Sequence, residues 1–483
     1  MINLLSKKTF IAIFFVLTTG FGYSQGYSIH LTLKPFTNAK VYLGYHYGKM
    51  KAVADSVTLN GNSEGTFKGK DKLPGGIYFI VSPKKEILFE LLIDQGQTFS
   101  ISADTARLPA SIVFTGSPEN KTFQDYTAYM NSHGREITEL QSGLGMAKTK
   151  NDSAVIREKI KKLNEEVKAE REKIEKSDPN SLLTMLLLAL KEPVVPPIPT
   201  LSNGRPDSTF AYRYYKEHYW DYVSWTDDRL IRTPILEPKL DHYYKDLVPP
   251  QPDSINLEVD HMLLFSRANK DMFKFLLVYF TQKYVNPEYM GQDAVFIHLF
   301  EKYINTGQAD FFTEKYRKFV DDRAYSIMAN LIGQPAANLE MTDSLGKVRT
   351  LYEIPANFVL VCFWDPTCSH CKETIPKLDS IYQAKWKYQG LQIFSVMVDG
   401  GQENWRSFIR AHNLGDWINV YQTTAQHDAV VAAGRPDYRQ LYDVYQTPVL
   451  YLLDKEKRIV AKKLTYQQVD EILNLKLKKV NTP

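Results

Sequence analysis

At 483 residues the chain is longer than one hydrophobic core ordinarily serves, so two or three domains are expected. A hydrophobic content of 44% is that of a globular protein, and a net charge of +4 over this length implies neither a nucleic-acid nor an anionic-membrane partner. Three cysteines are too few for a disulfide-stapled scaffold, which leaves them available for chemistry.

The chain opens with Lys7 and Lys8 ahead of an apolar run from Phe10 to Leu17, followed by Gly22-Tyr23-Ser24. This pattern predicts a signal peptide over residues 1–24, cleaved before Gln25. The run is short for a membrane span, an uncleaved anchor being the alternative, and no later stretch approaches one. With no cysteine near the cleavage point a lipid anchor is not expected. The expected location is therefore the periplasm or cell envelope, where disulfides persist.

Residues 25–110 read as an antiparallel β domain of short alternating strands. Ile29 to Leu33 and Val41 to Tyr45 come first; Asn60-Gly61 marks a turn, Gly75-Gly76 precedes Ile77 to Val81, and Leu88 to Ile93 and Thr98 to Ser102 flank Gln95-Gly96. Tyr42, Tyr45 and Tyr47 could form a glycan-stacking face, but alternating aromatics in a strand more often serve cross-strand packing.

Residues 111–330 read as an α-helical middle domain. Ile156, Ile160, Leu163, Val167 and Ile174 recur at helical spacing among Lys, Arg and Glu, which predicts a solvated helix in an intramolecular hairpin. Ser181 to Leu190 is apolar all round and expected to be buried. Glu192 to Pro199 is too rich in proline for regular helix or central strand. Helices are expected from Phe210 past Tyr222, from Val259 to Tyr284 and from Ala294 to Ile304. The aromatics Tyr212, Tyr214, Tyr215, Tyr219, Trp220, Tyr222 and Trp225 are read as packing surface before ligand site. His218, His261 and His298 have no paired ligand spacing, so no metal is expected there.

In residues 331–480 the apolar run Phe358 to Trp364 leads into Asp365-Pro366-Thr367-Cys368-Ser369-His370-Cys371 and then a helix in which Ile375, Leu378 and Ile381 share a face. A cysteine where strand hands over to helix faces unpaired N–H groups carrying partial positive charge, which favours its thiolate. Cys368 is thus the candidate nucleophile and Cys371 the resolving thiol, closing a reversible Cys368–Cys371 disulfide. Leu391 to Val398 and Thr447 to Asp454 read as further buried strands.

Trp364, Cys368, Cys371, Pro376 and the Thr447-Pro448 pair, in this order of elements, resemble the thioredoxin fold. Ile332-Gly333-Gln334-Pro335-Ala336-Ala337-Asn338-Leu339 and the long Leu391 to Asp454 region resemble its TlpA/ResA-like branch of exported thiol-disulfide oxidoreductases, and the N-terminal β domain is similar to one that often precedes such modules in Bacteroidetes-type envelope proteins. The resemblance implies a C-terminal α/β thioredoxin fold and a cis Pro448 beside the dithiol, shaping a substrate groove and keeping metals from the sulfurs. It also implies Trp364 packed under the site. Where thioredoxin has a buried acid, six residues before the first cysteine, this chain has Cys362, read as a small buried hydrophobe. Where many ResA-like members carry Glu, it has Thr374, with the acid one position earlier at Glu373. One residue turns about 100° on a helix, so Glu373 need not face the sulfurs; Asp365 and Glu373 are the candidate replacements. A partly protonated His370 would stabilise the Cys368 thiolate, the alternative being a neutral cap of the helix start.

Two functions follow. The first is an exported enzyme exchanging disulfides with envelope proteins, in the reductase direction, with no organic cofactor and no metal, and with a redox partner that resets the dithiol. The second is an envelope binding or assembly protein using the thioredoxin-like module as a docking platform. A half zinc site and an inert structural bridge at Cys368 and Cys371 are the lesser alternatives.

Overall fold

A computed structural model describes residues 26–480, so the signal-peptide reading of 1–24 lies outside the described residues. The chain divides into two compact units, the first ending at Asp241 and the second beginning at His242, a division inside the stretch read as the helical domain.

The first unit opens with eight strands: β1 Tyr27–Lys34, β2 Lys40–Tyr47, β3 Met50–Thr58, β4 Glu64–Gly69, β5 Gly76–Val81, β6 Ile87–Ile93, β7 Thr98–Asp104 and β8 Val113–Thr115. They form two four-stranded sheets in the orders β4-β1-β7-β8 and β3-β2-β5-β6. Alternate residues (Ile29, Leu31 and Leu33; Val41 and Leu43; Leu91 and Ile93; Phe99, Ile101 and Ala103) meet in one core, as a period of two requires. One pairing departs from the antiparallel reading: β1 and β7 run parallel, in register from Ser28↔Thr98 to Lys34↔Asp104. A parallel partner needs a long crossover, here supplied by the intervening strands, and apolar alternation carries no mark of a neighbour's direction. Tyr42 and Tyr45 are half-buried; Lys85 Nζ lies 3.3 Å over the Tyr42 ring, and Tyr45 meets Tyr78 at 5.7 Å between centroids.

Helices α1 Pro118–Met146 and α2 Lys150–Ser177 follow as a hairpin, with Leu163, Val167 and Ile174 buried and the charged positions of α2 in solvent. The apolar α3 Leu182–Ala189 is buried at its start, and its free N–H groups are taken by carboxylates: Leu182 N–H donates to Asp94 at 3.2 Å and Leu183 N–H to Glu119 at 3.3 Å. The expected helix from Phe210 stops as α4 Phe210–His218; Tyr219 beyond it is buried, with Lys239 Nζ 4.2 Å over its ring, whereas Tyr212 and Tyr222 are exposed. Helix α5 spans Leu236–His242.

The α-helices of the second unit's first half are α6 Pro252–Phe265, α7 Lys270–Val285, α8 Asp293–Leu299 and α9 Glu314–Met328, with wider π-helical turns at Tyr243–Leu247 and Phe300–Gln308. The single helix expected from Val259 to Tyr284 is two, because the Asn269 side chain accepts the N–H groups of Asp271 and Met272 at 3.0 Å and starts α7 afresh.

The second half carries β9 Glu340–Asp343, β10 Val348–Thr350, β11 Phe358–Trp364, β12 Leu391–Met397, β13 Ile418–Tyr421, β14 Val449–Asp454 and β15 Ile459–Lys462. Helices α10 Ser369–Ala384, α11 Gln402–Ala411, α12 Thr424–Ala432, α13 Tyr438–Leu441 and α14 Tyr466–Val480 alternate with them. The strands make one sheet in the order β10-β9-β13-β12-β11-β14-β15, with central β11 parallel to β12 and antiparallel to β14. Strand β11 is apolar throughout because both faces are covered. Leu360, Cys362 and Trp364 pack into the layer with Ile375 and Leu378 of α10, and Val359, Val361 and Phe363 into the opposite layer. This is the α/β thioredoxin fold.

Buried Lys462, at the end of β15, pairs with buried Asp293 of α8 and donates to the Asn330 carbonyl and side chain at 2.9 and 2.7 Å. Removing one member of such a pair leaves the other charge buried alone. Asp293→Ala is therefore expected to destabilise the second unit by about 3 kcal/mol, read as a lower urea midpoint of the full chain.

Candidate active site

Strand β11 delivers the chain to a turn closed by Asp365, whose carboxylate accepts the N–H and hydroxyl of Thr367, both at 2.7 Å. A neighbouring loop packs closely on this turn: a Cβ at Gly400, where φ is +90°, would stand 2.4 Å from the Asp365 carboxylate, so glycine is required there. Cys368 then occupies the cap position of α10 with extended backbone and no side-chain oxygen to take the orphan N–H groups. Its sulfur instead lies beside N–H groups that carry partial positive charge. The Cys371 N–H holds the Cys368 thiol below its ordinary value against the opposing effect of partial burial, helped by the Thr447 hydroxyl, the Cys371 thiol and the His370 N–H.

Cys371, one turn into the helix, is the opposite case. It is fully buried, and that burial pushes its thiol up to about 11, although the Asp365 N–H donates to its sulfur at 3.5 Å. Both cysteines are free thiols in this structure.

The third element arrives from the end of the fold. Phe363 of β11 lies opposite Val449 of β14, so the residues just before β14 stand at the mouth of β11. There the Thr447–Pro448 bond is cis, and the Cys368 thiol donates to the Thr447 carbonyl at 3.7 Å. Cys368, Cys371, Thr447 and Pro448 thus come together. Trp364 is fully buried in the cluster that includes Cys371, its indole N–H donating to Ser395 Oγ at 2.7 Å.

His370 and Glu373 stand differently. The His370 ring is exposed, and what reaches Cys368 is its backbone N–H. Glu373 is exposed, about 200° around α10 from buried Cys371. The Asp365 carboxylate is engaged with Thr367, and the residue supplies Cys371 with its N–H instead. Cys362 is buried in the core layer with Cys371; burial first, and then the Cys371 charge, hold its thiol well above the ordinary value. Ser395 and Gly400 were not singled out from the sequence. A serine within the apolar run Leu391 to Met397 was the available signal for a buried polar partner.

Residues 332–462 match the AhpC/TSA family. This part of the chain is a thioredoxin-like domain of that family. Residues 27–123 match a domain of unknown function (DUF4369) and residues 153–324 another (DUF5106). No curated protein matches the chain. Among solved structures, a domain of a possible thiol-disulfide isomerase from Cytophaga hutchinsonii is similar at 35% identity, covering 32% of this chain and 97% of that one with a TM-score of 0.28. A thioredoxin-like protein from Bacteroides caccae is similar at 24% identity, over 59% of this chain and 99% of that one with a TM-score of 0.46. A thiol:disulfide interchange protein from Bacteroides sp. is similar at 28% identity, over 30% of this chain and 93% of that one with a TM-score of 0.26. The AhpC/TSA-type domain, with its dithiol at a helix start, is an oxidoreductase domain of the thioredoxin-like thiol-disulfide class.

The unequal sulfurs set the pH response. Thiolate, not thiol, reacts with iodoacetamide, and its fraction grows as pH rises through the group's own value. Alkylation of the reduced protein is expected to begin at Cys368, along a curve displaced below that of an ordinary thiol, while Cys371 reacts only toward pH of about 11. Mass spectrometry of the alkylated peptides against pH checks the order.

Proposed function

We propose that the chain is an exported thiol-disulfide oxidoreductase that reduces disulfides of envelope proteins through Cys368 and Cys371. The supporting observation is the asymmetry of the pair: one half-buried sulfur at a helix start with its thiol lowered, and one buried sulfur behind it with its thiol raised. The Cys368 thiolate attacks a substrate disulfide, forming a mixed disulfide and releasing one substrate thiolate, which takes up a proton. Cys371 then loses its proton and attacks Cys368 Sγ, closing the Cys368–Cys371 disulfide and releasing the second substrate sulfur. Two electrons pass from the dithiol to the substrate. A partner dithiol returns them, and no organic cofactor or metal enters the balance. Thr447 and Pro448 line the approach to Cys368, Trp364 supports the floor, and His370 lends its N–H; Glu373 has no assigned step. The working division is 25–110, 111–330 and 331–480 after removal of residues 1–24, with periplasm or cell envelope as the location.

Dithiothreitol-driven reduction of insulin by the full chain tests the reading. Cys368→Ser is expected to abolish turnover, and Cys371→Ser to accumulate mixed disulfides with envelope proteins in cells. A reduction potential near about −270 mV supports the reductase direction, whereas one near about −120 mV would reverse it. A mature protein beginning at Gln25 supports export.

A further inference from the structure

The loop that carries Thr447 and Pro448 also presents a large ring two residues before Thr447, whose carbonyl accepts from the Cys368 thiol. Tyr445, two residues before Thr447, is 73% exposed. The chain on its near side is pinned. Asp443 is 5% exposed with φ of 51°, a conformation non-glycine residues hold only where surroundings enforce it, and it receives Arg323, Lys463 and, at 3.5 Å, Ser326 Oγ. Val444 is buried, its N–H donating to the Arg439 carbonyl at 2.7 Å. On the far side Val449 enters the sheet opposite Phe363. Tyr445 therefore stands on a short span fixed at both ends.

Arg323 holds the ring as well as the loop. Its guanidinium lies 5.7 Å from the Tyr445 ring centroid while pairing with Asp443. A ring already oriented loses little freedom when a partner packs on it, and aromatic side chains are frequent anchors at interfaces. Tyr445 lies two residues from Thr447, a span of at most about 7 Å, and the Thr447 carbonyl meets Cys368 at 3.7 Å, so residues flanking a substrate sulfur at Cys368 run toward the segment that carries Tyr445.

We infer that Tyr445, oriented by Arg323 of α9, selects polypeptide disulfides flanked by an apolar or aromatic side chain. The inference rests on the thiol-disulfide reading of Cys368 and gives the helical segment that supplies Arg323 a part in choosing the substrate. Arg323 acts as a positioning residue, through Asp443 and the ring; Tyr445 is the specificity contact.

Two synthetic peptides test it, each bearing one cysteine as a mixed disulfide with glutathione and differing in Phe or Gly two residues from that cysteine. With full-length protein and dithiothreitol, kcat/KM is expected to favour the Phe peptide by about tenfold, the weight of one aromatic contact, and chiefly through KM. Tyr445→Ala is expected to bring the ratio to about one, while Tyr445→Phe, which keeps the ring, keeps the ratio. Arg323→Met is expected to lower the ratio in the native background and to change nothing further in Tyr445→Ala, since the two act as one unit. A wild-type ratio near one, or a tenfold ratio surviving Tyr445→Ala, overturns the inference while leaving dithiol exchange intact. Cys368-independent reduction of both peptides would instead remove the functional reading beneath it, and the inference with it.

Discussion

The N–H groups at the start of α10 carry partial positive charge, and the structure sets a sulfur beside them. At most helix starts a hydroxyl, carboxylate or amide oxygen fills that place, as the Asn269 amide oxygen does for α7. At α10 the cap residue is Cys368, so the partial positive charge of the helix end acts on a sulfur and lowers its thiol. The chemistry of the site depends on this single substitution of sulfur for oxygen at a cap.

Reactivity at one sulfur is useful only if the other waits. Burial in the layer between β11 and α10 makes Cys371 wait, since a charged sulfur there would lose its hydration with little return. Cys362, deeper in the same layer, carries the same logic further and stays protonated. The Thr447 hydroxyl acts on both reactive sulfurs in the direction of the thiolate, and its carbonyl faces Cys368, so the loop before β14 belongs to the site as fully as the helix does.

That loop is not held by the thioredoxin-like domain alone. Arg323, Ser326 and Asn330, from α9 and the residue pair beyond it, reach Asp443, Gln440 and Leu441, and buried Lys462 closes on Asp293 and Asn330. Buried charge needs all its partners present. The second half of the helical region and the redox domain accordingly share one compact unit, although the family matches separate them at residues 324 and 332.

How much was legible in advance follows from the range of each interaction. Strand alternation, the α2 seam, the apolar run of β11 and the cysteine spacing are local patterns, so elements, thioredoxin-like order and dithiol could all be read along the chain. Break points set by one side chain were less visible: Asn269 splits a helix that apolar periodicity alone extends through it. The parallel pairing of β1 with β7 and the two unequal cysteine environments depend on neighbours far along the chain. Spacing marked Glu373 and the His370 ring as candidates, yet α10 turns both to solvent. By itself the sequence determined where the candidate dithiol stands, because two cysteines at a strand-to-helix junction are a short-range fact. Only the tertiary structure decided which sulfur is exposed, which is buried and what surrounds them, because solvation and field at an atom are set by whatever the whole fold packs against it.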